Sequence, residues 1–147
     1  MERSKFVVHK IGADEWKKLY EKNAHLAVFE EYVDEEKSKL DFALLVVNKK
    51  DEMVVYMTIK EMDKYTAFIE YGGSFPNKRG SVESFPAFLA CLEFLEKDYE
   101  RVNFFTENKN KPMLKFGLNA GFEIIGCCYS NNKFLLEHTL EFKKETN

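Results

Sequence analysis

No stretch of this 147-residue chain is apolar for long enough to cross a membrane. Its longest apolar runs, such as "FALLVV" at 42–47, fall far short of the ~20 residues a spanning helix requires. The N-terminus, "MERSKFVVHKIG", has no apolar segment of the kind that directs secretion, so a cytoplasmic location is the expectation. Basic surplus is missing as well: 22 Lys and Arg stand against 25 Asp and Glu, for a net charge of −3. That balance disfavours nucleic acid and anionic membrane as partners. Only three cysteines are present, Cys91, Cys127 and Cys128. An odd number without a secretory signal excludes a disulfide framework and predicts reduced thiols, read here as small buried hydrophobes. His9, His25 and His138 lie far apart, and neither C-x-x-C nor H-x-x-x-H spacing occurs, so no metal site is expected. With only three prolines and seven glycines there is no low-complexity linker, and residues 1–147 are expected to form a single domain.

What the chain does have is core material: 45% hydrophobic residues, of which aromatics are a large share with 14 Phe and 7 Tyr. The run at 5–11 reads as a strand and "GADEW" as a helix start, with Asp14 a plausible N-cap. Trp16, Leu19 and Tyr20 follow at helical spacing, and Leu26, Ala27, Phe29 and Tyr32 continue the stripe. Residues 41–47 are nearly all apolar, as a strand covered on both faces would be. Two more strands are predicted at 53–62 and 65–75, the latter weakened by Gly72 and Gly73. "FPAFLACLEFLEKDY" is an amphipathic helix with Ser84 as its expected N-cap. A strand at 101–107, a short helix from Pro112 to Gly121, and two strands joined by an "NN" turn complete the order. That order predicts an α/β fold: a mixed, mostly antiparallel sheet of six to seven strands flanked by helices. The strands at 66–75 and 101–107, joined through a helix, should run parallel.

The segment "PNKRGSVESF", 76–85, opens a helix. Amides there lack intrahelical partners and the helix dipole favours an anion, so the loop is a candidate phosphate cradle. Its other reading is a solvated turn before a capped helix. Glu70 interrupts the apolar run "AFIEYGG", and strict alternation would place it on one face with Phe68 and Gly72. A glutamate there either faces solvent or is held for a purpose.

This element order, with "PNKRGS" after the strand and "NKPMLKFGLNAGF" before the next, resembles the GNAT superfamily of acyl-CoA-dependent N-acetyltransferases. The family patterns are Q/R-x-x-G-x-G/A and, roughly, N-x-x-A-x-x-L-Y-x-x-x-G-F. The likeness in order covers nearly the whole chain, and the motif letters cover 76–84 and 110–126. It implies that the two parallel strands splay apart and that acetyl-CoA, the acyl donor, enters the wedge. The pantetheine arm would meet backbone at Gly73, Ser74 and Phe75, and the diphosphate would meet Arg79, Gly80, Ser81, Val82, Glu83 and Ser84. Asn110 matches the family's Asn and Phe116 its Leu. Val82 replaces a glycine and Glu83 adds a negative charge, so both are expected to weaken diphosphate binding. Gly117 stands where the family carries the tyrosine that protonates the leaving thiolate.

Two functions follow from the resemblance. In the first, an amine, either a small molecule or a protein, attacks the thioester. Glu70 or a water accepts the proton, with Glu107 a lesser candidate, and Tyr129 substitutes as acid unless it is an ordinary core or edge tyrosine. The segment 13–40, with its acidic run "FEEYVDEE", would line the acceptor pocket. In the second, the protein keeps the scaffold without catalysis, loses the cofactor, and binds a protein partner or a second copy of itself as a homodimer.

Overall fold

The computed structural model describes residues 5–23 and 40–142. The apolar stripe expected at 26–32, the whole acidic run at 29–36 and the tail at 143–147 lie outside the described residues. Seven strands form one sheet in the order β1-β2-β3-β4-β5-β7-β6. They are β1 (Phe6–Gly12), β2 (Phe42–Asn48), β3 (Met53–Glu61), β4 (Thr66–Ser74), β5 (Arg101–Glu107), β6 (Glu123–Ser130) and β7 (Lys133–Glu141). Helices α1 (Ala13–Asn23), α2 (Ser84–Glu96) and α3 (Lys111–Ala120) accompany them. All neighbouring strands pair antiparallel except β4 and β5. The mixed, mostly antiparallel α/β architecture expected from the sequence is therefore the one observed.

β2 is buried along its whole length, because both of its faces are covered. Leu44 and Val46 join the core beneath α2 with Cys91, Leu92 and Leu95, while Ala43 and Leu45 turn to the opposite face with Trp16 of α1. Burying each large aliphatic side chain is worth roughly 1.5–3 kcal/mol, so this two-sided strand anchors the fold. Phe104, Phe116 and Phe122 extend the α2-side core under α3, and the Phe104 and Phe122 rings meet edge to face at 4.8 Å. No described helix is long and apolar enough to cross a membrane.

Three local expectations are corrected. α1 begins at Ala13, with Asp14 inside the first turn, where its charge favours the helix N-terminus. Glu83, not Ser84, occupies the N-cap position of α2, and its side chain makes no capping bond. The cysteines divide: Cys91 is buried, and burial pushes its thiol up to about 12, but Cys127 and Cys128 are exposed. Their strand, β6, is the outermost described strand of the sheet, with β7 on one side and no described strand on the other.

Candidate functional site

β4 and β5 pair over only three positions, Thr66↔Arg101, Ala67↔Val102 and Phe68↔Asn103. Beyond Phe68 they separate. The cause lies in β4: Ile69 pairs with Ile59 and Tyr71 with Thr58, so Glu70 is an extra residue in the strand. Such a bulge bends its strand and sharpens the local twist. The displaced Tyr71 amide donates to Thr58 Oγ1 at 3.1 Å, which satisfies it within the bulge. Ile69 lies in the α2-side core and a Cβ on Gly72 would meet Phe88, so Glu70 and Tyr71 together stand opposite Thr58 on the α1 face. Glu70 thus shares a face with Phe68 but not with Gly72, because the bulge breaks the strict alternation expected from sequence.

Beyond the bulge, the edge of β4 facing β5 has no described strand beside it. The Phe75 amide donates to the Val54 carbonyl at 3.0 Å, toward β3. Hydrogen-bonding direction alternates along a strand, so Gly73 also faces β3, and the amides and carbonyls of Gly72 and Ser74 face the gap. That assignment moves the open backbone one residue from the Gly73 and Phe75 expected.

A short 3-10 turn, Pro76–Lys78, leads from β4 to the loop that opens α2. Gly80 has φ +74°, a left-handed conformation in which a side chain is strained, and no atom lies within 4 Å of where its Cβ would be. The Ser81 amide bonds the Lys78 carbonyl at 3.0 Å, and the Glu83 amide bonds Ser81 Oγ at 3.3 Å. The amides of Gly80 and Val82 bond no described residue. The Ser84 hydroxyl donates to the Lys78 carbonyl at 3.1 Å and bonds Ser74 Oγ at 2.8 Å, tying the loop to the end of β4.

The structure alters the reading of both unfavourable residues. Val82 is 92% exposed, so its methyls fill no part of the cleft. The Glu83 carboxylate turns away from the cleft and takes Lys78 Nζ at 2.9 Å and Asn48 Nδ2 at 3.0 Å. Lys78 also reaches Glu52 at 3.1 Å, and Asn48 Nδ2 donates to Glu52 at 2.9 Å. These hydrogen bonds, from Lys78 foremost, hold the Glu83 carboxyl below its usual range; bonds from Asn48 and then Lys78 do the same for Glu52, and the two carboxylates raise Lys78. The charge expected to repel a diphosphate is paired with Lys78 of the 3-10 turn and bonded by Asn48 at the end of β2.

The wedge is a cleft of about 560 Å³. Gly72, Gly73 and Ser74 form one wall, Gly80, Ser81 and Ser84 its end, and Phe85, Phe88 and Phe116 its aromatic lining. The rings of Phe88 and Phe116 are 5.2 Å apart, bridging α2 and α3. Of the residues assigned to the cofactor from sequence, Gly73, Ser74, Gly80, Ser81, Ser84 and Phe116 meet here. Phe75 does not: it is 2% exposed and packs on Tyr56, with ring centroids 5.7 Å apart. Arg79 does not line the cleft. Val82 and Glu83 border a separate hollow beside Asn48 and Lys78. Asn110 caps α3, its side-chain oxygen accepting from the Met113 amide at 3.3 Å. Tyr129 is exposed on β6, beyond β5 and β7, and Glu107 lies 4.0 Å from Lys133; neither lines the cleft.

Sequence reasoning missed Gly72, Phe85, Phe88, Met113, Lys115 and Asn119, all of which line the cleft. Pro112, Lys115, Phe116 and Asn119 stand at i, i+3, i+4 and i+7, the spacing of one helix face, and that signal was available. Lys115 makes no ion pair with a described residue and supplies a cation at the cleft.

Gly117 has a packing cause. A Cβ there would lie 3.1 Å from His138 Nδ1 and 3.1 Å from Phe104 Cζ. His138 is fully buried, stacks on Phe104 with centroids 4.4 Å apart, and bonds Thr106 Oγ1 through Nε2 at 2.9 Å. No described residue bonds its Nδ1, which favours the tautomer with the ring proton on Nε2, where it can be donated to Thr106. Burial holds the imidazole below its ordinary pKa and therefore neutral.

No family model matches the sequence, and no curated protein matches it. Solved structures do. A spermidine N-acetyltransferase SpeG mutant from Vibrio cholerae superposes with a TM-score of 0.70 at 10% identity, covering 94% of each chain. The spermidine/spermine N-acetyltransferase SpeG from the same organism, in complex with manganese ions, gives 0.64 at 11% identity, over 95% of this chain and 94% of that one. A dodecameric spermidine N-acetyltransferase from Vibrio cholerae gives 0.67 at 10% identity, over 94% of each. Agreement over nearly the full length of both chains shows that this chain shares their fold, a GNAT-like mixed sheet in which β4 and β5 form the parallel pair.

Proposed function

We propose that this protein is an acyl-CoA-dependent N-acyltransferase that moves an acetyl group to a primary amine in the cytoplasm. The observation carrying the reading is the open edge of β4 beyond Phe68, ending at a loop with unbonded amides. The residues present fit acetyl-CoA. Gly72 and Ser74 offer an extended backbone edge to an amide-bearing arm. Gly80 offers an unbonded amide to a diphosphate at the end of the cleft, and Lys115 offers a charge. The phenylalanine lining excludes water around them.

Acetyl-CoA, when bound, supplies the activated acyl group as a thioester. The chain holds acceptor and donor together, which is where most of the rate gain would arise. Glu70, lifted by the bulge onto the α1 face beside the wedge, takes the proton from the acceptor ammonium directly or through a water. No described tyrosine lines the cleft. A thiolate of pKa near ~8.5 departs without an acid, at reduced rate. Spermidine, named for the similar structures, is one amine to test among several.

Calorimetric titration with CoA and release of free CoA thiol from acetyl-CoA with a panel of primary amines test the reading. CoA at 100 times its dissociation constant should stabilise the fold by about 2.7 kcal/mol. Glu70→Gln should lower turnover with little change in CoA affinity. CoA binding without turnover on any amine would favour the non-catalytic scaffold, to which Gly117 already points; no CoA binding at millimolar concentration would overturn the proposal.

A further inference from the structure

The two edges of the sheet are unlike. β1 carries Lys10, a charge of the kind that discourages pairing with another sheet. β6, "EIIGCCYS", carries one charge, Glu123, and no proline. Ile124, Ile125 and Tyr129 are exposed, the last by 70%, and Cys127 and Cys128 are exposed with them. No described strand pairs with its outer edge. A bulge at Ile125 interrupts its first half, where Ile124 pairs with His138 and Gly126 with Glu137. From Gly126 to Ser130 the strand is regular.

The turn after β6 sets the polarity of that regular segment. β6 and β7 are joined by Asn131 and Asn132, both with positive φ, a two-residue turn whose flanking pair, Ser130↔Lys133, is hydrogen-bonded. The next pair, Tyr129↔Phe134, is then not hydrogen-bonded. The Phe134 carbonyl indeed accepts from the Asn108 amide at 3.1 Å, away from β6. Alternation leaves the amides and carbonyls of Cys127 and Tyr129 pointing outward. An antiparallel copy of the same strand complements them: Cys127 and Tyr129 of one chain meet Tyr129 and Cys127 of the other, and the two-fold axis falls on Cys128. This register uses all of Gly126–Ser130 and places no charge opposite a like charge. It buries two tyrosines against two cysteines, the residues whose exposure is otherwise unexplained.

We propose that β6 is a homodimer interface, pairing antiparallel with β6 of a second copy about a two-fold axis at Cys128 so that the sheet runs on through both chains. The axis pair is of the non-hydrogen-bonded kind, with Cα atoms about 4.5 Å apart, close enough for a disulfide. Mild oxidation of the full chain should therefore give a covalent dimer that reductant dissolves. Oxidation joins two thiols as one disulfide, and the added oxidant accepts two electrons and two protons. The covalent dimer should vanish in Cys128→Ser and persist in Cys127→Ser and Cys91→Ser. Tyr129→Pro removes an outward amide that β7 does not use, so the monomer fold is preserved and the dimer dissociation constant from sedimentation equilibrium should rise at least about tenfold. Tyr129→Lys serves the same purpose if the proline variant does not fold. A monomer at every concentration, a dimer unaffected by either Tyr129 variant, or cross-linking that survives Cys128→Ser would each overturn the proposal.

Discussion

Replacing Gly117 by alanine is a sharp test of the packing at the position where the resembled motif carries a tyrosine. In the interior of α3, glycine to alanine should stabilise by about 0.8–1.0 kcal/mol on helix propensity alone. Here the new Cβ would lie 3.1 Å from both His138 Nδ1 and Phe104 Cζ, two rings stacked on each other in the core. Forcing extra volume into a well-packed site costs roughly 1–3 kcal/mol. The net expectation is a loss of about 0–2 kcal/mol where propensity predicts a gain. His138→Ala empties the space behind Phe104, so in that background the propensity gain should reappear, and a double-mutant cycle by urea unfolding should give a coupling of at least about 1 kcal/mol. Equal stabilisation in both backgrounds would refute the argument. Gly117→Tyr, by the same reasoning, should disturb the core and restore no turnover.

Protonation of His138 should govern stability in mild acid. Burial depresses its folded pKa, so below the unfolded value, about 6.5, the unfolded chain binds a proton that the native state refuses. Stability should fall as pH drops from there, by at most about 1.36 kcal/mol per unit, until the folded pKa is reached, and His138→Leu should flatten that slope in pH-dependent unfolding. The depressed carboxyls of Glu52 and Glu83 act lower, their contribution disappearing as pH falls below the ordinary value of 4.5. Gly80→Ala meets no atom but takes up a left-handed φ, so denaturant unfolding should show a loss of about 1–2 kcal/mol. Lys78→Met leaves the Glu83 charge uncompensated beside the loop, and calorimetry should find CoA binding weakened severalfold and more so at low salt.

Much of this protein was legible in one dimension. The unbroken apolar run of β2 announced a strand buried on both faces, the helical spacing of α2 announced Leu92 and Leu95 as core, though Phe85 and Phe88 of the same stripe line the cleft, and the interposed helix required β4 and β5 to run parallel. These are local patterns, set by the periods of strand and helix. The motif letters around 76–84 and 110–126 located the loop and α3 beside the wedge. What they could not convey was decided by contacts between residues distant in the chain. Glu83 looked like a charge against a phosphate until folding brought Asn48, 35 positions away, and Lys78 to its carboxylate. Gly117 looked like a missing acid, whereas the rings of Phe104 and His138, from two other strands, occupy its space. The bulge that turns Glu70 off the face of Gly72 exists only in the register between β3 and β4. Cys127 and Cys128 looked like core residues, and only the order of strands made β6 an edge. Sequence fixes periodicity, and therefore elements and their buried faces; charge compensation, close packing and edge position depend on which elements become neighbours, and that is settled when the core closes.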